Sequence, residues 1–127
     1  MTSPCPVKRP ISLIQRLEQL IGKQVEIVGS NLALEPSPLQ STCGTTFITV
    51  NNELIIPSSL FYVHVFKVPR ATKTHRVGLR TAFDSNGLFD DVLLVLMGKQ
   101  FIEVQPRKAL HERYLLPLPQ VLGIFDL

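Results

Sequence analysis

The sequence predicts a mainly β protein built as two small β-barrels in tandem, with about five short strands each and a short N-terminal α-helix. The principal observation is a repeated motif, because residues 44–50 and 98–104 both read Gly-x-x-Phe-Ile-x-Val. Similar segments flank both copies in the same order. Residues 25–28 resemble residues 77–80, at a spacing of 52. The glycines of the motif lie 54 residues apart, and the prolines that follow the next strand lie 60 apart. Blocks that recur in one order with drifting spacing indicate an internal duplication.

The N-terminal part divides into an arm and a helix. Residues 1–10 contain three prolines and are expected to form an extended arm. Apolar residues then recur at helical spacing between residues 14 and 21. Ser12 and Gln15 have the spacing of a capping box, and Gly22 supplies a C-terminal stop. We expect a helix of about three turns.

The first barrel is predicted over residues 11–68. Its strands are expected at residues 23–28, 42–50, 54–56 and 60–68, with turns at 29–31 and 51–52 and a one-turn segment at 57–59. Pro36 and Pro38 interrupt the stretch 32–42, so any second strand there should be short, bent or at an edge.

The second barrel is predicted over residues 77–127, after a basic linker at residues 69–76. The boundary lies where an apolar stretch gives way to Pro-Arg-Ala-Thr-Lys-Thr-His-Arg. Strands are then expected at 77–83, 92–97, 98–104, 114–116 and 121–125, with a turn at 84–87 and a one-turn segment at 117–120. The second copy carries six extra residues relative to the first, and we place this insertion within residues 106–113.

The repeated motif is interpreted as structural. Its glycines should turn or bulge the chain, and its apolar side chains should belong to the core, with Phe47 and Phe101 in matching surroundings. The residues of this signature are Gly44, Phe47, Ile48, Val50, Gly98, Phe101, Ile102 and Val104.

Composition narrows the class of protein. The chain is 45% hydrophobic and 18% charged, which excludes a disordered protein and leaves little polar material to cover a small surface. We therefore expect apolar surface that faces a protein partner or a second copy. The net charge of +3 permits an acidic or nucleic-acid partner without requiring one. No apolar run approaches the ~20 residues of a membrane span, and no signal-peptide core follows the start, so a cytoplasmic location is expected.

The helix, the signature strand and a Leu-Ile-Ile-Pro strand together resemble small Sm-like or SH3-like barrel proteins. The similarity covers most of residues 11–68 and, more weakly, 75–125, and is greatest to short proteins of spore-forming Firmicutes, some of them linked to the spore coat. The resemblance implies a small barrel with a 3₁₀ turn between its fourth and fifth strands, and a spore-associated location as an alternative. The Asp-x-x-x-Asn loop and the Arg-Gly pair of the Sm-type RNA pocket are not present in this sequence.

Two basic clusters are the candidate nucleic-acid contacts, since arginines and lysines that converge on one face can bind phosphates. They consist of Lys67, Arg70, Lys73 and Arg76, followed by Arg107, Lys108 and Arg113. We interpret them as a solvated linker and a solvated hairpin tip, because no aromatic residues are interleaved for base stacking.

No constellation predicts catalysis or a cofactor. His64 could act as a base for Cys43, but the second copy has neither residue and no orienting group is evident. Cys5 and Cys43 form no CxxC and are expected to be reduced, with a single bridge as the alternative. The aspartates at 84, 90 and 91 are too few for a calcium loop. No metal, cofactor or small-molecule substrate is predicted.

The sequence therefore favours a non-enzymatic assembly or interaction protein that pairs with a protein partner or forms a homo-oligomer. The alternative is an Sm-like module that binds RNA or single-stranded nucleic acid.

Overall fold

Residues 8–127, which a computed structural model describes, form one open antiparallel sheet of ten strands with one short α-helix. The mainly β prediction is confirmed. Most of the predicted arm lies outside the described residues. The helix α1 spans Leu13–Glu18. Strands β1 to β10 span Gln24–Gly29, Leu32–Cys43, Phe47–Val50, Glu53–Ile55, Tyr62–Val65, His75–Thr81, Val92–Met97, Phe101–Pro106, Arg113–Pro117 and Val121–Asp126. Two 3₁₀ turns, Pro57–Ser59 and Leu118–Gln120, precede β5 and β10.

The strand order repeats within the sheet. It runs β10-β6-β7-β8-β9-β5-β1-β2-β3-β4. We call β1–β5 with α1 the first half and β6–β10 the second half. The two halves have the same strand order. In each, the fifth strand lies at one side next to the first strand, and the second, third and fourth strands follow in sequence to the other side. The halves join where β5 pairs with β9, through Val63 opposite Leu115 and His64 opposite Tyr114. This joint leaves β4 and β10 as the two edges of the sheet.

The pairing of the third strand with the fourth strand in each half shows which residues of the two halves correspond. Ile48 lies opposite Ile55, and Ile102, the equivalent of Ile48, lies opposite Leu116. The fourth strands therefore correspond at a spacing of 61, and the insertion is seven residues long. The prediction of six was wrong because the aligned prolines are not equivalent: one opens its 3₁₀ turn and the other precedes it.

The N-terminal helix is correctly placed but shorter than predicted. Ser12 accepts a hydrogen bond from the Gln15 amide and Gln15 caps the Ser12 amide in return, so the capping box is confirmed. After Glu18 the chain tightens into 3₁₀-type turns that end at Gly22, whose φ of +93° favours glycine.

Strand β2 departs most from prediction, since its twelve residues run through the two prolines. The first part pairs with β1 and the second part, from Leu39, pairs with β3. Pro36 lies where the β1–β2 register shifts and Pro38 where the pairing with β1 ends at Gln24. A bulge and a one-sided stretch tolerate a residue without an amide hydrogen, so the prolines do not end the strand.

Several other strand boundaries differ from the predicted ones. The stretch 42–50 is not one strand, because Gly44 turns the chain with a φ of +61° between β2 and β3. Strand β5 is shorter than the predicted 60–68, and β6 starts inside the predicted linker at His75. Strand β7 matches its predicted bounds.

Two hydrophobic clusters fill the fold, and they explain why Phe47 and Phe101 differ. Ile48 and Val50 lie in the first cluster, while Ile102 and Val104 lie in the second. Phe101 points the other way, into the first cluster, and is fully buried because the first half covers that face. Phe47 lies on the corresponding face of the first half and is only half-buried. The predicted matching surroundings were therefore wrong for this pair.

Replacing Gly98 by alanine should destabilise the protein by about 1–3 kcal/mol, the range for overpacking a filled core. A Cβ there would overlap the ring of Phe101, which is fully buried and cannot shift freely. Gly123→Ala is the control, since its Cβ would meet nothing closer than Arg80 Cδ at 3.9 Å. Urea unfolding of both variants checks the expectation, and equal stability of the two would contradict it.

Candidate functional site

The outer face of β8, on the side of Phe101, meets three different parts of the chain in succession. Phe101 enters the first hydrophobic cluster, Glu103 binds Arg16 of the helix α1, and Gln105 accepts a hydrogen bond of 3.1 Å from the amide of Ala71. All three β8 side chains are buried, as is the rest of the strand before its last residue. The first half, its helix and the connection between the halves are thus all fixed to one strand of the second half.

Glu103 is the centre of a buried charge cluster. Its Oε1 and Oε2 accept hydrogen bonds of 2.7 and 3.0 Å from Nε and Nη2 of Arg16. Nε of Arg113 lies 3.4 Å from the same Oε2. One carboxylate with no exposed surface therefore faces two guanidinium groups, and the cluster keeps a net positive charge.

Arg113 is held in an unusual state for a cation. It is 2% exposed, and its terminal nitrogens donate to the carbonyl oxygens of Leu110, Glu112 and Pro69. Its Nε has no hydrogen-bond partner among the described residues. Burial, together with the nearby Arg16 charge, lowers the pKa of Arg113, whereas Glu103 opposes that shift.

A cavity of about 640 Å³ opens beside this cluster, where the end of α1 faces the connection after β5 and the strands β7–β9. We call it the basic cavity. Its cationic lining consists of Arg9, Arg16, Lys23, Arg70, Lys73 and Arg113. The lining carries one carboxylate, Glu103, so its net charge of +5 exceeds the +3 of the whole chain. The rest of the protein is therefore net negative.

The structure divides the seven predicted phosphate contacts. Arg70, Lys73 and Arg113 line the basic cavity. Arg76 and Arg107 both bind Asp91, at 2.8 and 2.9 Å. The other two are exposed, Lys108 in the turn after β8 and Lys67 with its carbonyl accepting from Nζ of Lys23. The two predicted clusters thus do not form one basic face.

The connection after β5, predicted as a solvated linker, is held to the second half. The amide of Val68 donates to the carbonyl of His111 at 2.8 Å, and the carbonyl of Pro69 accepts from Arg113. The amide of Ala71 is bound by Gln105. These bonds fix the backbone that presents Arg70 and Lys73 to the cavity.

His64 belongs to the joint between the halves. Its Nδ1 lies 3.2 Å from Glu26 and its Nε2 lies 2.6 Å from Glu112, while its ring stacks on Tyr114 at 4.1 Å. Both ring nitrogens are engaged by carboxylates, which leaves no nitrogen to activate the exposed thiol of Cys43. The alternative bridge to Cys5 falls outside the described residues.

The two free edges of the sheet carry most of the exposed apolar surface. Among the described residues, nine large hydrophobic side chains are exposed. Six of them lie on or directly after β4 and β10: Leu54, Ile56, Leu122, Ile124, Phe125 and Leu127. Leu122 is 70% exposed and Leu54 58%. Apolar side chains at unpaired strands are the surface features that favour pairing with another chain.

Neither a metal site nor a membrane-spanning helix is found in the part of the chain that the structure describes. No group of three His, Cys, Asp or Glu side chains there could hold a metal ion. No helix within residues 8–127 has the length and apolar character needed to cross a membrane.

Sequence reasoning missed Arg16 and Glu103. A signal was present, because the signature reads Phe-Ile-Thr-Val in the first copy and Phe-Ile-Glu-Val in the second. A carboxylate at a position where the duplicate has Thr49 requires a cationic partner if that position is buried. The identity of that partner, in a helix 87 residues away in sequence, is a tertiary property.

The comparisons with known proteins gave no match: no family model, no curated protein and no solved structure is significantly similar to this chain.

Replacing Glu103 by glutamine should destabilise the protein by about 3–5 kcal/mol, because it leaves the buried Arg113 without a countercharge. Urea unfolding measures the change. Asp91→Asn is the control, since it removes a carboxylate that also binds two arginines but at an exposed position, where ion pairs contribute little. Equal losses in the two variants would show that burial of the Glu103 cluster is unimportant.

The Asp91 pairs should make stability depend on pH in the acid range. Hydrogen bonds from Arg76, supplemented by Arg107, lower the pKa of Asp91 from 3.8 to about 2. Because the folded pKa is depressed, the stabilisation is fully present above the ordinary pKa and is lost as the pH falls through the folded one. The stability difference between wild type and Asp91→Asn should thus be constant at neutral pH and shrink between about pH 4 and pH 2. A difference that grows on acidification would contradict the assignment.

Proposed function

We propose that this chain is a non-enzymatic assembly protein that joins copies of itself head to tail through its two free sheet edges. The observation that carries the proposal is the joint inside the chain. There the fifth strand of the first half pairs with the fourth strand of the second half. The free edges are the remaining fourth strand, β4, and the remaining fifth strand, β10. Pairing β10 of one copy with β4 of the next would repeat a contact that the chain already makes.

The register of the internal joint specifies the register between copies. Val65 lies opposite Val25, and Asp126 lies opposite Val77. Because Val25 and Val77 are equivalent positions of the two halves, residues of β5 and β10 correspond at a spacing of 61. The fourth strands correspond at the same spacing. Val63 opposite Leu115 therefore translates into Ile124 opposite Leu54 of the next copy. Both side chains are exposed in the single chain.

The exposed apolar side chains support pairing at these edges rather than elsewhere. Leu115 is fully buried under the first half, whereas its counterpart Leu54 is 58% exposed. Phe101 and Phe47 show the same contrast. In a head-to-tail assembly, the face that carries Phe47 and Leu54 would be covered by the second half of the preceding copy. A contact of this heterologous kind gives a closed ring or an open filament, depending on the rotation between copies.

We infer that each half curls into a small barrel of the Sm-like or SH3-like type. The support is the repeated strand order, the length of β2, which pairs with β1 and then with β3, and one hydrophobic cluster per half. Participation in a spore layer is a prediction from the resemblance alone. Nucleic-acid binding is the less supported alternative, because Asp91 occupies Arg76 and Arg107 and the predicted contacts are divided between separate places.

Light scattering of the purified chain should give a defined oligomer or a polymer that grows with concentration. Leu54→Asp and Ile124→Asp should each abolish it, because either change places a charge opposite an apolar side chain across the proposed joint. Leu88→Asp is the matched control, since Leu88 is 39% exposed but lies between β6 and β7 and belongs to neither edge strand.

A mixing experiment makes the test more specific. The Leu54→Asp variant keeps an intact β10 and the Ile124→Asp variant keeps an intact β4, so an equimolar mixture should form one-to-one dimers and nothing larger. A monomeric wild type, or edge variants that assemble like wild type, would overturn the proposal.

A further inference from the structure

We propose that the basic cavity binds a phosphorylated small molecule that carries several negative charges, a function independent of assembly. The cavity volume of about 640 Å³ lies within the range of small-molecule sites, roughly 300–1,000 Å³. Six cationic side chains and one carboxylate line it.

The single carboxylate cannot neutralise the lining. Both oxygens of Glu103 accept hydrogen bonds from Arg16, and Arg113 already lies beside one of them. Within the described residues, Arg9, Arg70 and Lys73 form no salt bridge. Concentrating like charges costs free energy, and among the described residues that line the cavity only Glu103 offsets part of this cost. An external anion would offset it.

The cations that line the cavity are of two kinds, which differ in whether the side chain is buried or exposed. Arg113 is almost fully buried, and its Nε lies 3.4 Å from Glu103, so it contributes positive charge beneath the cavity rather than a donor that a ligand can reach. Arg9, Arg70 and Lys73 are exposed at the rim. These exposed cations are suited to an oxyanion that enters from solvent, because guanidinium and ammonium groups form strong charge-assisted hydrogen bonds with phosphate oxygens.

The walls indicate that the ligand has an organic part. Leu20, Val68, Val95 and Leu96 contribute to the lining of the cavity. Inorganic phosphate alone would leave these apolar walls unused, whereas a nucleotide or another phosphorylated metabolite would bury a ring or chain against them. The hydrogen bonds that fix Pro69 and Ala71 hold the rim in place before a ligand arrives, which lowers the cost of ordering it.

Isothermal titration calorimetry on the full chain, with inorganic phosphate, tripolyphosphate and ATP as probes, tests the proposal. Tripolyphosphate and ATP should bind, phosphate should bind more weakly, and added salt should weaken every affinity. The double variant Arg70→Ala/Lys73→Ala should lose roughly tenfold or more in affinity, because it removes two charge-assisted contacts.

The matched control is Arg107→Ala/Lys108→Ala, which removes the same net charge from exposed positions outside the cavity and should leave the affinity within about twofold of wild type. Unfolding curves of both double variants verify that the fold is retained. Three results would overturn the proposal: no binding of tripolyphosphate or ATP at low salt, equal losses in the two double variants, or tight binding of a single-stranded oligonucleotide that tripolyphosphate does not displace.

Discussion

The pairing of β5 with β9 is the constraint on which the rest of the structure depends. A half of about sixty residues is close to the lower size limit for an independent core. The joint removes that difficulty by placing one half against the other. It covers the outer face of β8, so that Phe101 completes the first hydrophobic cluster, and it brings Tyr62 against the second. The two halves thus share one continuous hydrogen-bonded sheet and exchange apolar side chains across their boundary.

The same joint makes the two halves unequal. In the second half the face that carries Phe101, Glu103 and Gln105 is buried, whereas the face that carries Phe47 in the first half remains partly open. The duplication is preserved in strand order and register but not in environment. The edges left over, β4 and β10, are the counterparts of β9 and β5, which pair with each other. This asymmetry is the physical basis of the association proposed above, which is head-to-tail rather than symmetric.

The pairing of β5 with β9 also determines where the positive charges of the chain lie. The helix α1, the connection after β5 and the outer side of the second half meet only because the joint brings them together, and each contributes cations to one cavity. Glu103 stabilises the meeting point by binding Arg16 and lying beside Arg113, but a single buried carboxylate offsets only part of the charge. A chain with a modest net charge of +3 therefore contains one strongly positive site on an otherwise net negative molecule.

The sequence by itself determined the local features: the capping box at Ser12, the bounds of β7, the two 3₁₀ turns and the repeated order of strand-like blocks. These features depend on hydrogen bonds and side-chain periodicity within a few residues, which the sequence displays directly. Only the tertiary structure decided the continuation of β2 through its prolines, the burial of Phe101 but not of Phe47, and the placement of Arg70, Lys73 and Arg113 around one cavity. Each of these outcomes is set by a neighbour distant in the chain, and the pairing of β5 with β9 selects that neighbour.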